Sequence, residues 1–496
     1  MRQRRCRRGI RWAGALLTAG LVSAGAALAP TGYSSTVDGH PVSMLYDPWR
    51  VSGLPVTDGP SGPRPDAPAP TGSVRNGNGG DIDALALLSV NDIVDFWQRN
   101  YGGLDVSGGR FAPVATLISY DSGAAGATLC GVNTRGFVNA FYCYGQDKMA
   151  WDRGVLLPGA RRYFGDMAIT GVLAHEYGHA VQDMARLVDS STPVLVAEQQ
   201  ADCFAGAYLR WVAEGGSPRL TLSTTDGLNG LLAGLITLRD PVPGSDGELV
   251  VGAGHGTALD RIGALQLGFD TGVQRCAEID TGDIEHRRAG TPVTLRVGPT
   301  GHAQPAVPRI SERLVTRMVE ALNARFRPAR PPALAFAAAC PDGQASPPAS
   351  YCPATNTIAV DLPGLRRLAG DLDDDGGTRL MLHGANTALS AVTSRYMLAL
   401  QHQRGLELTS AMAGLRTACL TGLGQRRLSE PSQDGTRGTL SADDLDEAVT
   451  GLLTNGLAAS GVDGAAVPAG FTRIQAFRSG LQGDAELCFQ RYASPD

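Results

Sequence analysis

Lysine is almost absent from this chain: of 496 residues one is lysine, Lys148, so nearly all of its 43 basic residues are arginine. No basic stripe occurs beyond the amino terminus, and 48 acidic residues leave a net charge of -5, small for this length. Nothing in that balance supports a nucleic-acid partner. The twin-arginine export route lacks support as well, because Arg4-Arg5 is not followed by the apolar pair such a signal carries. What the amino terminus does have is an arginine-crowded stretch from Met1 to Arg11, then an uncharged, alanine-rich run from Trp12 to Ala29. That order predicts a signal peptide or a single membrane anchor over residues 1–29. The run is short of the roughly twenty apolar residues of a full span, and Ala27-Leu28-Ala29 and Ala24-Gly25-Ala26 both read as cleavage sites. The mature chain is expected outside the cytoplasm, secreted or tethered to the outer face of the cytoplasmic membrane.

Proline, glycine and serine crowd the stretch from Pro30 to about Gly80, most densely at Gly59-Pro60-Ser61-Gly62-Pro63-Arg64-Pro65. That composition predicts an extended linker over 30–80. Regular structure is expected from Asp81, where Ile82, Leu85, Leu88, Ile93, Val94 and Trp97 outline a helix.

The next helical pattern starts near Asp166, an expected N-cap, and contains His175-Glu176-Tyr177-Gly178-His179. Residues i and i+4 share a helix face, so both imidazoles can reach one metal ion while Glu176 points at its water. Gly178 weakens that helix locally. A second helix is expected after Pro193, and along it Glu198 and Asp202 again stand at i and i+4. Glu198 is the candidate third metal ligand, and Asp202 the acid that holds a ligand imidazole from behind. The alternative metzincin pattern needs a glycine and a third histidine at positions that here are Gln182 and Ala185, so it is excluded. A His-His-Glu set leaves the fourth position open for water, the mark of a catalytic rather than a structural zinc.

The chain also repeats itself, which bears on architecture before anything else. Leu157-Pro158-Gly159-Ala160-Arg161-Arg162, ending in Gly165-Asp166, returns as Leu362-Pro363-Gly364-Leu365-Arg366-Arg367, ending in Gly370-Asp371. Tyr142-Cys143 returns as Tyr351-Cys352, and Arg261-Ile262 leading to Cys276 returns as Arg473-Ile474 leading to Cys488. Length alone suggests about three domains of roughly 150 residues; the repeat predicts two, over 81–290 and 306–496, joined by the aperiodic stretch from Arg287 to Pro305. Aligning the copies sets His175, Glu176 and His179 opposite Ser394, Arg395 and Leu398, and Glu198 and Asp202 opposite Gly414 and Ala418. The second copy is therefore expected to be non-catalytic. Asp371 to Gly376 opens like a calcium loop, but its twelfth position, which needs glutamate, is Leu382; the run is expected to be a solvated loop.

Eight of the nine cysteines fall into corresponding sets that persist where the metal ligands are gone, so they read as structural. The simplest pairing joins Cys130 with Cys143, Cys203 with Cys276, Cys340 with Cys352 and Cys419 with Cys488, although four cysteines in each copy allow three pairings. Two disulfides per domain suit an exported chain. Arg261, which has a counterpart in the second copy, reads as structural too. His255 lies in glycine-rich Gly252-Ala253-Gly254-His255-Gly256, and its counterpart is Val467. Its loss together with the ligands marks it as a catalytic candidate at the oxyanion.

Three blocks together carry a resemblance: His175 to Gln182, Glu198-Gln199-Gln200-Ala201-Asp202-Cys203-Phe204-Ala205-Gly206, and His255-Gly256-Thr257 with Arg261. They resemble the bacterial neutral zinc metallopeptidases, over roughly Asp81 to Asp280; the second copy resembles them in scaffold alone. More distantly, Asn139-Ala140 ahead of the HExxH helix is similar to the gluzincins, including thermolysin-like enzymes and the CAAX-type membrane proteases. The resemblance implies an α+β, predominantly helical gluzincin-like fold with a small sheet, here duplicated in tandem. It also implies that Asn139 to Tyr142 form an edge strand, with Asn139 and Ala140 binding an extended peptide through the backbone. The expectation is thus a zinc endopeptidase that holds one Zn2+ per chain on His175, His179 and Glu198. Glu176 would act as general base, and the substrate would be a peptide or protein. The alternative is a non-catalytic binding or scaffolding protein of the envelope.

Overall fold

The computed structural model describes residues 46–104, 109–237, 254–289, 291–292, 310–337, 339–340, 346–370, 383–431 and 440–493, together with the strand pair at 34–37 and 40–43. Helices dominate and the sheets are small, the mainly helical α+β architecture expected. The apolar run 12–29 and the acidic run from Asp371 to Gly376 lie outside the described residues. Within them no helix is long and apolar enough to cross a membrane.

The first half opens on β1 (Val74–Arg75) and α1 (Asp81–Asn100), followed by β2 (Thr116–Tyr120), β3 (Ala140–Cys143) and β4 (Lys148–Asp152). The sheet runs β3-β4-β2-β1, with β3 antiparallel to β4 and the other pairs parallel, so β3 is an outer strand. Then come α2 (Leu156–Phe164), α3 (Asp166–Ala185), α4 (Val194–Ala213), α5 (Asp226–Thr237), α6 (Ala258–Thr271), α7 (Val273–Ala277) and α8 (Thr281–Arg288). Gly165, at φ 85°, rather than Asp166 takes the N-cap position of α3. Asp166 is the first helical residue, placed where the helix dipole favours a carboxylate, and accepts from Arg161 Nε at 2.7 Å.

Helix α3 lies against β3, α1 and α4 and is buried along most of its length, through Leu173, Tyr177, Ala180 and Val181. Its approach to α4 explains Gly178: a Cβ there would stand 2.9 Å from Ala201 Cα. The residue that weakens the helix is what lets the two helices meet. α4 and α6 meet closely in the same way, since a Cβ on Gly206 would strike the Leu265 carbonyl and one on Gly268 the Cys203 carbonyl.

The second half contains α9 (Glu312–Phe326), β5 (Ala333–Ala335), β6 (Ala349–Cys352), β7 (Thr357–Val360), α10 (Leu362–Leu368), α11 (Ala385–Gln403), α12 (Ala411–Ser429), α13 (Ala442–Thr454), α14 (Gly470–Gln482) and α15 (Ala485–Arg491). Its sheet runs β5-β7-β6, with β5 parallel and β6 antiparallel to the central strand. Here Gly422 faces the Phe477 carbonyl and Gly480 the Cys419 carbonyl, so α12 and α14 also touch through glycine. The four disulfides are Cys130–Cys143, Cys203–Cys276, Cys340–Cys352 and Cys419–Cys488, the pairing preferred from the sequence.

One apolar core runs through both halves. α5 and α6 pack on α13, and α5 also on α14. Across this junction the Phe269 and Phe471 rings lie 4.9 Å apart, Gln266 Nε2 donates to the Phe471 carbonyl at 2.9 Å, and Arg478 Nη1 donates to Gln266 Oε1 at 2.8 Å.

Two expectations need correction. The stretch expected as a linker over 30–80 is, from residue 46 on, seated on the helices. Gly62–Pro63 pairs with Leu220–Thr221, Val51 is fully buried, and the Tyr46 ring meets that of Tyr492 at 5.7 Å. Composition reported an extended backbone correctly; it could not report that partners elsewhere satisfy that backbone. Thr472 Oγ1, for example, donates to the Arg50 carbonyl at 3.0 Å. Likewise Arg287 and Arg288, expected in the connection, end α8 and are tied back to Asp283 and Asp260. The Arg288 pair reaches an acid 28 residues away and leaves no periodicity to read, while the Arg287 pair is the i,i+4 spacing of α8 itself.

Candidate metal centre

α3 brings His175, Glu176 and His179 to one face, and α4 brings Glu198 and Asp202 opposite them. Glu198 Oε2 lies 3.1 Å from His175 Nε2 and 3.5 Å from His179 Nε2. His175 Nε2 and Glu198 Oε2 are both buried, and although close they make no aligned hydrogen bond with each other or with any other group. Buried polar atoms are ordinarily satisfied, so a buried ring nitrogen and a buried carboxylate oxygen facing one spot are what a cation site requires. Imidazole and carboxylate donors suit zinc, and the residues present fit it.

The far side of each imidazole is held as well. His175 Nδ1 donates to Asp202 Oδ1 at 2.7 Å, and Arg261 clamps that carboxylate with Nε at 2.9 Å and Nη2 at 2.8 Å. His179 Nδ1 donates to Gln182 Oε1 at 2.9 Å, and the Tyr144 hydroxyl donates to the same oxygen at 2.9 Å. Gln182 is fixed in turn, its amide donating to the Ala197 carbonyl at 2.6 Å and to Gln200 Oε1 at 3.1 Å. With Nδ1 donating, each Nε2 lone pair is left for a metal.

The charges follow from this packing. Burial disfavours a protonated His175, but Asp202 and Glu198 outweigh it and push its pKa up to about 10. Burial also disfavours a charged His179, and Glu198 overrides it and raises that pKa. For Glu198, burial is outweighed by the two imidazoles, which hold the carboxyl far below its usual range. Burial of Asp202 is likewise outweighed, by Arg261 first and then His175, giving about 2. Glu176 goes the other way, raised by burial. Its Oε2 accepts from the Tyr142 backbone N–H at 3.1 Å, a donor on outer strand β3.

His255 arrives from the loop ahead of α6, its Nε2 3.4 Å from Glu198 Oε2 and its ring 5.9 Å from that of His175. Among the described residues, the group whose possible ligand atoms all lie within 4.8 Å of one another is His175, Glu198 and His255; His179 is outside it. A cavity of about 340 Å³ opens beside these residues. Its walls are mostly apolar, including Val138, Val155, Leu156, Tyr163, Leu231 and Leu235, and Asn139 is at its edge. Ala140, by contrast, does not line the cavity and its side chain is buried.

The second-half residues that align with the site in sequence are packed into the interior. Ser394, Arg395 and Leu398 are fully buried on α11. Arg395 donates through Nη1 to the Gly461 carbonyl at 3.1 Å and through Nη2 to Ser460 Oγ at 2.9 Å. Arg473, the counterpart of Arg261, donates instead to backbone carbonyls such as Leu452 at 2.7 Å.

That difference corrects the reading of Arg261 as merely structural. Shared sequence implied a shared role, but the two arginines have different partners, and Arg261 faces the site. Gln182 and Tyr144 carried no role in the sequence reading either. The position of Gln182, three residues after His179 on one helix face, was a usable signal; nothing local marks Tyr144. Compared with protein-family models, with curated proteins and with solved structures, the chain finds no match.

Proposed function

We propose that this protein is an exported zinc-dependent endopeptidase, with one zinc held by His175, His179 and Glu198. The observation that carries the reading is the buried meeting of His175 Nε2 with Glu198 Oε2, unaligned as a hydrogen bond, above an apolar cavity. When bound there, zinc supplies a Lewis acid that acidifies water and polarises a carbonyl. Glu176 takes the proton of the attacking water and returns it to the leaving amine, work suited to a carboxyl whose pKa burial has raised. The Tyr142 N–H steadies one oxygen of Glu176 and leaves the other for that exchange. An extended peptide lies along the outer edge of β3 near Asn139, with an apolar side chain in the cavity. His255 stands on the side from which an oxyanion would be met.

The second half is read as a degenerate copy within a gluzincin-like tandem duplication. Both sheets set one parallel and one antiparallel strand about a central one, and both helix pairs meet through two glycines. Asp152 N donates to the Asn139 carbonyl just as Asp361 N donates to that of Pro348. The four disulfides support export.

Glu176→Gln tests the reading. Zinc content, measured by elemental mass spectrometry, is expected to stay near one per chain, while cleavage of a peptide library falls by about 100- to 10,000-fold. Unchanged cleavage would remove Glu176 from the mechanism; a zinc-free wild type after reconstitution would favour a binding protein.

A further inference from the structure

We propose that His255 is itself a ligand of the metal in the resting protein. It would close the coordination sphere and have to swing away before substrate can enter. The inference rests on the metal centre proposed above and adds a fourth protein donor to it.

Distances are the first support. Donors bound at about 2.0–2.1 Å around a tetrahedral ion stand roughly 3.3 Å from one another. Glu198 Oε2 lies 3.1 Å from His175 Nε2, 3.4 Å from His255 Nε2 and 3.5 Å from His179 Nε2. His255 thus matches that spacing as well as either histidine of the helical motif. It also belongs to the one tight donor group among the described residues, with His175 and Glu198, whereas His179 stands outside that group and has to draw in to complete the four.

Anchoring is the second. Gly256 adopts φ 89°, and Thr257 begins α6 with a reciprocal capping box to Asp260. Arg288 grips Asp260 through Nε at 2.8 Å and Nη2 at 2.6 Å. From the second half, Asp446 Oδ2 accepts from Ala258 N at 3.1 Å. The backbone just after His255 is therefore held from three directions, and the imidazole is presented at a set place.

Exposure supplies the third. The His255 side chain is 39% exposed against 7% for His175 and 9% for His179. A ligand on the solvent side can rotate off without opening the core, which the buried His175 and His179 cannot do. Four protein donors describe a closed site and three an open one; His255 converts between them.

Cobalt(II) in place of zinc reports coordination directly, in the full-length exported chain with its disulfides intact. The wild type is expected to show the intense visible bands of four-coordinate cobalt. His255→Ala, checked for wild-type circular dichroism, should weaken those bands as solvent replaces the ring. Its cobalt affinity should fall at least about tenfold, the smallest loss usual even for an outer-sphere partner. His255→Cys should add a thiolate-to-cobalt charge-transfer band in the near ultraviolet, which needs sulfur on the metal. Identical spectra and affinities for the wild type and His255→Ala, with no new band in His255→Cys, would overturn the proposal and leave the three-ligand centre standing. Failure of the wild type to take up cobalt would overturn both.

Discussion

At the residue scale the site depends on what holds the imidazoles as much as on the imidazoles themselves. Asp202 fixes the tautomer of His175 and is itself neutralised by Arg261. Asp202→Asn should therefore keep the fold and lower zinc affinity about 10- to 100-fold, measured by competition with a chromophoric chelator. Both variants leave Arg261 buried without its counter-charge, and Asp202→Ala should do worse, at a cost of about 3–5 kcal/mol, because it also removes the oxygen that accepts from His175 and Arg261. The same groups set the acid and base limits of the metal-free protein. The folded pKa of Asp202, about 2, lies below its ordinary 3.8, so its stabilisation is complete above about pH 4 and is lost as pH falls through that interval. The folded pKa of His175, about 10, lies above its ordinary 6.5, so its stabilisation is complete below that value and is lost as pH rises towards 10. Chemical denaturation of the chelated protein should show an acid limb worth about 2 kcal/mol from Asp202, and a further loss above about pH 6.5 as His175 gives up its proton. A profile that rises from pH 7 to pH 10 would contradict this charge assignment.

At the scale of elements, the proposed ligands converge because two helix pairs approach closely enough to need glycine. α3 meets α4 at Gly178, and α4 meets α6 at Gly206 and Gly268. Gly268→Ala puts a methyl into the Cys203 carbonyl and should cost about 1–3 kcal/mol through overpacking. Because α6 carries Arg261 and follows His255, the same change should also weaken metal binding. Gly480→Ala imposes the matching clash, with Cys419, on α12 and α14. It should lower the melting temperature comparably and leave metal affinity near wild type. Calorimetry with a metal titration on both variants separates the two effects; equal loss of metal in both would refute the link between the α4–α6 contact and the site.

For the whole molecule, the two halves share one apolar core. The Phe269–Phe471 contact, the Gln266 bonds and the Asp446 bond to α6 all cross the junction. The segment from residue 46 adds a strap touching both halves, through Ser52 near Asp270 and Arg50 against Thr472. A chain ended at residue 292 should leave the apolar faces of α5 and α6 uncovered. It is expected to aggregate or elute as a large species in size-exclusion chromatography, while the full chain does not. A soluble, monomeric, zinc-binding truncation would show that the second half is dispensable to the fold.

Much of this was legible from the residues alone, for a physical reason. A helix converts spacing into direction, so His175, Glu176 and His179, and likewise Glu198 and Asp202, could be set on shared faces before any coordinates. The repeated cysteine pattern led to the four pairs without them, and the lack of a basic stripe beyond the amino terminus argued against nucleic acid. Tertiary structure decided what spacing cannot encode. It set which loop histidine stands beside Glu198, that Arg261 and Arg473 serve different partners, and that residues 46–80 lie on the body. Each of these contacts joins positions far apart in the chain or depends on how closely two helices approach. Local periodicity carries no information about either.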